Sequence, residues 1–301
     1  MTGCGSKIEN AYDPYSTDYI NGYNGVDYFA SNICVTNDVN FGQDTVSSSS
    51  LAEGAGAFNI DTHQVLYSQN LFEKLYPAST TKVLTAYIIL KNCDTNDTVT
   101  VSHDAANPGS SSSVCGLKEG DVITVGDLLY GLLLDSGNDA AIALAEYYSG
   151  SIEAFAEEMN KTAKSFGATN SNFVNPSGLP DENHYTTVYD MYLIFSNAIS
   201  LESFVNIISS QTHDATYTNA SGGSVTKTYK NTCGYLTGAY TAPENVTVTG
   251  GKTGTTGEAG YCLVLLSQNA KNERIISIVY KAGGKSDLYT LMNEILSGFA
   301  N

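Results

Sequence analysis

Ser79 and Lys82 stand three residues apart in the stretch "YPASTTKVLTAYIIL", just where it turns apolar. On a helix, positions i and i+3 share a face, so the two side chains can touch. A serine hydroxyl is a poor nucleophile until a neighbouring base takes its proton. A lysine serves as that base once burial or a second cation lowers its pKa. The helix start also supplies unpaired N–H groups and the positive end of the dipole, so the Ser79 amide is suited to bind an oxyanion. Alone, such a pair is common and usually means a capping serine and a solvated lysine.

Two more groups of residues change its weight. In "DSGNDAA", Ser136 and Asn138 sit at a break between two helical patterns. A tight turn there presents a hydroxyl and an amide to a cleft, although Ser, Gly and Asn also suit a plain capping turn. In "GGKTGTTGEAGYC", Lys252, Thr253 and Gly254 fall on an expected strand, followed by Thr255. A lysine there holds a substrate carboxylate or lowers the pKa of Lys82 by charge repulsion. Gly254 lets a substrate backbone lie close to the strand. The bland alternative is a glycine-rich hairpin. An S-x-x-K, a Ser-x-Asn and a Lys-Thr-Gly in this order form the signature of class A β-lactamases and penicillin-binding proteins.

The surrounding elements are of the kind needed to hold these groups together. "GAFNI" and "VLYSQN" read as two strands joined by a turn. "STTKVLTAYIILKN" has helical apolar spacing, and Pro77 stands where a helix start tolerates proline. "DTVTVS" alternates like a strand. "TVGDLLYGLLLDSGNDAAIALAEYYSG" reads as two helices, and "SIEAFAEEMNKTAKSFG" as an amphipathic helix ending at Gly167. "NSNFVNPSGLPDENHYTT" reads as a long loop, and helices follow over "VYDMYLIFSNAI" and around Phe204. "VTVTGGKTG", "AGYCLVLLSQ" and "RIISIVYKAG" read as strands, and "SDLYTLMNEILSGFA" as a closing helix. Strands at both ends with helices between them predict an α+β fold, its antiparallel sheet flanked by helices and a helical cluster inserted.

Composition sets limits. The chain has 301 residues, 42% hydrophobic and 15% charged, which is globular rather than disordered. No run of 18 apolar residues is present, so no transmembrane helix is expected. A net charge of −17 disfavours nucleic acid as a partner, because phosphate binding needs Lys and Arg, and Arg274 is the one arginine. No cofactor or metal site is indicated: none of the six cysteines forms a C-x-x-C pair. Cys93 and Cys115 flank one short segment, where a disulfide in an oxidising compartment stays open. Cys262 reads as a buried strand residue.

Residues 1–45 read as a polar spacer with a few docked tyrosines, and 46–301 as one domain. "TGC" followed by Gly resembles the tail of a bacterial lipoprotein signal, which would leave Cys4 first and lipid-modified; the alternative is an ordinary exposed cysteine. On the lipoprotein reading the protein sits in the bacterial cell envelope, extracytoplasmic, held to the membrane through that lipid.

The stretches "YPASTTKVLTA", "TVGDLLYGLLLDSGNDAA", "FVNPSGLPDENHYTTVYDM" and "GGKTGTTGEAGYCLV" resemble the low-molecular-mass D-alanyl-D-alanine carboxypeptidases, the serine peptidases of the penicillin-binding protein 5 type. The resemblance runs from about residue 50 to 301. It implies a β-lactamase/transpeptidase-like fold and an enzyme that trims the last D-Ala from peptidoglycan stem pentapeptides. It also implies β-lactam antibiotics as covalent inhibitors. By resemblance, Ser79 is the acylated nucleophile and Lys82 its base. Ser136 and Asn138 shuttle a proton and bind the peptide amide. Lys252 and Thr253 face the terminal carboxylate, and the amides of Ser79 and Thr255 form the oxyanion hole.

Two departures stand out. The second, β-rich domain of many relatives does not follow here. The arginine that the family often carries just before its last helix is also missing, and "GGKSDLY" offers Lys285 as the nearest cation, beside Asp287. Glu182 does not match the spacing of the deacylating glutamate of class A β-lactamases, and His184 reads as structural. Two other functions compete: a β-lactamase or esterase, and an idle, lipid-anchored wall-binding protein that keeps the cleft without turnover.

Overall fold

Alternation and helical spacing build two sheets around a helical layer. The structure is a computed structural model that describes residues 32–42, 44, 46–109 and 113–300. Cys4 and the tyrosine-rich stretch of the expected spacer lie outside these residues. The larger sheet has five antiparallel strands: β1 (Gly54–Asn59), β2 (Gln64–Gln69), β7 (Thr247–Thr256), β8 (Gly260–Gln268) and β9 (Arg274–Ala282). Their order is β2-β1-β9-β8-β7, so the first and last strands of the chain pair in the middle, with Asn59 opposite Ile275. The smaller sheet, order β3-β4-β5-β6, joins β3 (Thr98–Thr100), β4 (Val122–Thr124), β5 (Thr212–Thr218) and β6 (Ser224–Lys230).

The helices are α1 (Lys82–Asn92), the short α2 (His103–Ala106), α3 (Val125–Leu133), α4 (Asn138–Ser149), α5 (Ile152–Ser165), α6 (Val188–Ala198), α7 (Glu202–Ser209) and α8 (Lys285–Ser297). The expected α+β arrangement is present. α1 is the central helix: Val83, Leu84, Ala86, Ile88 and Ile89 are all buried. It packs against α3, α4, α5 and α6 on one side of the large sheet. A second core forms between the sheet and α8, from residues such as Leu263, Leu265, Val279, Leu291 and Met292. Helix starts are capped as their sequences dictate: Thr124, Ser151 and Thr187 each accept a backbone N–H from three residues on.

Three features go beyond the sequence reading. The β5–β6 hairpin is absent from the sequence reading, although His213, Ala215 and Tyr217 alternate towards the interior. Cys93 and Cys115 are both free thiols. One compact unit spans Ile33–Asn301. Cys34 is fully buried: its N–H donates to the Tyr192 hydroxyl, and its carbonyl accepts from the Tyr189 hydroxyl. Phe41 then pairs with Ser68 along the outer edge of β2. An otherwise open sheet edge is thereby partly covered.

Candidate active site

The turn that carries Ser79 is held open by its neighbours. Residues Ala78–Thr81 form a 3₁₀ turn that runs into α1 at Lys82. Ala78 has φ +47°, a left-handed conformation that costs on the order of 1 kcal/mol for a residue with a Cβ. The neighbouring loop leaves no alternative: a Cβ on Gly178 would lie 1.8 Å from the Ala78 carbonyl oxygen. Gly178 itself has φ +86°. Ser79 is thus presented at the surface of the cleft by a turn clamped from behind.

Lys82 is completely buried. Its Nζ lies 2.9 Å from Ser79 Oγ, 2.7 Å from Asn138 Oδ1 and 2.8 Å from the Ser177 carbonyl oxygen. Burial, reinforced by the charge of Lys252, pushes its pKa well below the usual lysine value. Two of the three partners are pure acceptors. A neutral amine therefore spends its two hydrogens on Asn138 and Ser177 and turns its lone pair to the Ser79 hydroxyl. That is the arrangement a general base needs.

Lys252 is also fully buried, and burial lowers its pKa to about 7. Its Nζ donates to Ser136 Oγ at 2.9 Å and to the Thr253 carbonyl at 2.8 Å. Ser136 has φ +60°, a second strained residue at the cleft. Asn138 opens α4, whose N-terminus also holds the buried carboxylate of Asp139. Asp139 accepts the N–H groups of Cys115, Gly116 and Leu117 at 2.8–3.1 Å. This fixes the loop after Ser113, whose carbonyl accepts the N–H of Asn138. Asp139 Oδ1 also accepts the Ala140 N–H, so each carboxylate oxygen serves two donors and Asp139→Asn turns two of the four contacts donor-to-donor. It is expected to cost about 2–3 kcal/mol of stability, read as a lower urea midpoint at unchanged slope.

The loop over residues 169–187 is tied to α1 by side chains. Thr85 donates to the Pro176 carbonyl, and Thr81 pairs with His184 Nε2. His184 Nδ1 accepts the Val174 N–H, so the imidazole proton sits on Nε2. Burial pushes the pKa of His184 down to about 4, which keeps it neutral. These contacts hold the loop against the start of α1. Asn175 Oδ1 accepts the N–H groups of Ser177 and Gly178, which aims the Ser177 carbonyl at Lys82. Glu182 is exposed and lines a separate hollow with Lys74, Tyr76 and Tyr185.

Gly254 plays a part beyond the one expected. It lines the cleft, but its bare Cα faces the nucleophile turn: a Cβ would lie 2.9 Å from the Ser79 amide nitrogen and 3.0 Å from the Pro77 carbonyl oxygen. The glycine therefore makes room for the turn as well as lining the cleft.

Ser79 stands between two adjoining cavities of ≈ 290 and ≈ 280 Å³. The first is lined by Ser136, Thr232, Thr253, Thr255 and Lys285. The second is lined by Asn138, the 177–180 loop and residues 255–258. Thr232 was not legible as a site residue. Its hydroxyl pairs with that of Thr253 at 2.6 Å. Lys285, the first residue of α8, lies at the cleft wall.

A family model described as D-alanyl-D-alanine carboxypeptidase matches residues 43–284. The chain belongs to that family. It is 35% identical over 252 residues to the D-alanyl-D-alanine carboxypeptidase DacF of Bacillus subtilis, covering 81% of this chain and 61% of that protein. It is 37% identical over 233 residues to DacC of Escherichia coli, covering 74% and 54%. The chain thus spans little more than half the length of these relatives. The D-alanyl-D-alanine carboxypeptidase of Streptomyces sp. strain K15 is matched more fully, at 34% identity over 83% of this chain and 87% of that one. The crystal structure of the Streptomyces K15 DD-transpeptidase superposes with a TM-score of 0.74 at 30% identity, covering 82% of this chain and 97% of that one. The family fold is therefore the fold described above.

Proposed function

We propose that this chain is a serine D-Ala-D-Ala carboxypeptidase acting on peptidoglycan stem pentapeptides through an acyl-enzyme on Ser79. One observation carries the reading: a fully buried lysine of lowered pKa, 2.9 Å from the hydroxyl of an accessible serine. Ser79 Oγ attacks the carbonyl of the penultimate D-Ala as Lys82 takes its proton. The N–H groups of Ser79 and Thr255 receive the oxyanion. The intermediate collapses, the peptide C–N bond breaks, and the departing D-Ala amine takes a proton through Ser136. Lys252, Thr253 and Lys285 receive the terminal carboxylate. Water then attacks the ester and frees Ser79.

A β-lactam ring offers the same carbonyl and carboxylate, so it acylates Ser79 too. Glu182 lines a hollow apart from Ser79 and does not serve the second step, which favours a long-lived penicilloyl adduct over β-lactamase turnover. Transfer to an amine in place of water is a second reading. It draws on the similarity to a protein named as a transpeptidase. The setting we propose is extracytoplasmic, at a bacterial envelope, with a lipid on Cys4. The "TGC" sequence and the location of the substrate support it.

Incubation with benzylpenicillin followed by intact mass and peptide mapping tests the reading. The expected result is a lasting adduct on the peptide containing Ser79, together with D-Ala release from a stem peptide. Hydrolysed drug without an adduct would favour a β-lactamase. Neither adduct nor release would leave the idle wall-binding protein.

A further inference from the structure

The two halves of the cleft differ in charge. The half beside Lys252 also carries Lys285, and on the carboxypeptidase reading it takes the end of the substrate that bears a carboxylate. Asp135 lines this half as well, but its carboxylate accepts the Lys230 N–H. In the other half, lined by Ser113, Asn138, the 177–180 loop and the 255–258 turn, Glu258 is the one charged side chain among the described residues. Glu258 is exposed, and no hydrogen bond or ion pair engages its carboxylate among the described residues. Its backbone is fixed. Thr256 pairs with Gly260 across the hairpin, Thr256 Oγ1 accepts the Ala259 N–H at 3.0 Å, and Ala259 is buried. A free carboxylate on a rigid turn is thus held at the wall of a cavity that Ser79 also lines.

We propose that Glu258 is a specificity residue for the acyl-donor peptide and pairs with a protonated amine on it. The inference rests on the carboxypeptidase reading above. With the leaving D-Ala and its carboxylate in the Lys252 half, the donor chain leaves Ser79 through the other half, past residues 177–180 and Glu258. A donor with a free amine then meets the opposite charge, and a donor whose amine is acylated does not. The cleft is complementary to a substrate that is negative at its end and positive further back. The amine is either a side-chain amine or the α-amine of the donor.

The test compares kcat/KM for three peptides: Nα-acetyl-L-Lys-D-Ala-D-Ala, Nε-acetyl-L-Lys-D-Ala-D-Ala and the diacetyl form. At least one singly acetylated peptide is expected to exceed the diacetyl peptide by about three- to fivefold at low salt, the range of an exposed ion pair. The peptide that does so identifies which amine is read. In Glu258→Gln that ratio falls to one, and in Glu258→Lys below one. A ratio equal in the parent and Glu258→Gln overturns the inference and leaves the carboxypeptidase reading intact. So does an equal slowing of all three peptides, which would mark Glu258 as a hydrolytic base or a structural residue. Release of D-Ala from none of the three overturns both.

Discussion

Lys82→Met is expected to slow acylation of Ser79 by benzylpenicillin about 10³-fold, the usual range for loss of a general base. Methionine keeps the unbranched stem out to Cε and removes the proton acceptor. Stopped-flow acylation rates measure the effect directly, and less than a tenfold loss would mean that another group takes the proton of Ser79. The same variant has a signature in stability. A lysine held neutral in the fold binds a proton on unfolding, so stability rises with pH from its depressed folded pKa up to the usual 10.5. Each such lysine contributes up to about 1.4 kcal/mol per pH unit across that window. Removing Lys82 takes away its share, so the melting temperature of Lys82→Met rises less steeply than the parent's between pH 7 and 10. The loss of donors to Asn138 Oδ1 and the Ser177 carbonyl costs stability at every pH and does not alter this slope. A parallel pair of curves would show that Lys82 is charged in the folded protein.

Gly254→Val is expected to lower acylation by about 10²–10³, the cost of losing one oxyanion donor. The reason is local. The first added carbon would already lie 2.9 Å from the Ser79 nitrogen and 3.0 Å from the Ala78 Cβ, closer than such atoms sit. Either the strand or the turn yields, and in both cases the Ser79 amide leaves its line with Thr255. Second-order acylation rates with the melting temperature as control distinguish this from unfolding. A fully active Gly254→Val would remove Ser79 N–H from the oxyanion hole.

The lysine and serine positions were legible in the sequence because each motif joins a fixed spacing to a defined element. Ser79 and Lys82 share one helix start, and Lys252 to Thr255 share one strand. What the sequence could not show were contacts made through backbone or across long separations. The Ser177 carbonyl bonds Lys82 whatever side chain residue 177 carries, so no residue type signals it. Thr232 reaches Thr253 from a connection with no periodicity of its own. Asp139 stands within "DSGNDAA" with no signal of its own, because its three backbone partners lie in a loop fixed only by the tertiary fold. The β5–β6 hairpin was missed because only one face of β5 is buried and most of β6 is exposed, which leaves threonine-rich strands that resemble polar loop. Gly254 was read as a strand glycine open to substrate because the nucleophile turn behind it is not adjacent in sequence.

The pairing of Asn59 with Ile275 sets when the enzyme can come into being. β1 has no neighbour on its inner side until β9 exists, and Lys252 cannot be buried opposite Ser136 until its strand docks on the nucleophile turn. Loops that long are closed late, because their entropy is lost before their contacts form. A ribosome must therefore have synthesised almost the whole domain before the first complete active site appears. Activity, in turn, reports the completed fold and nothing short of it.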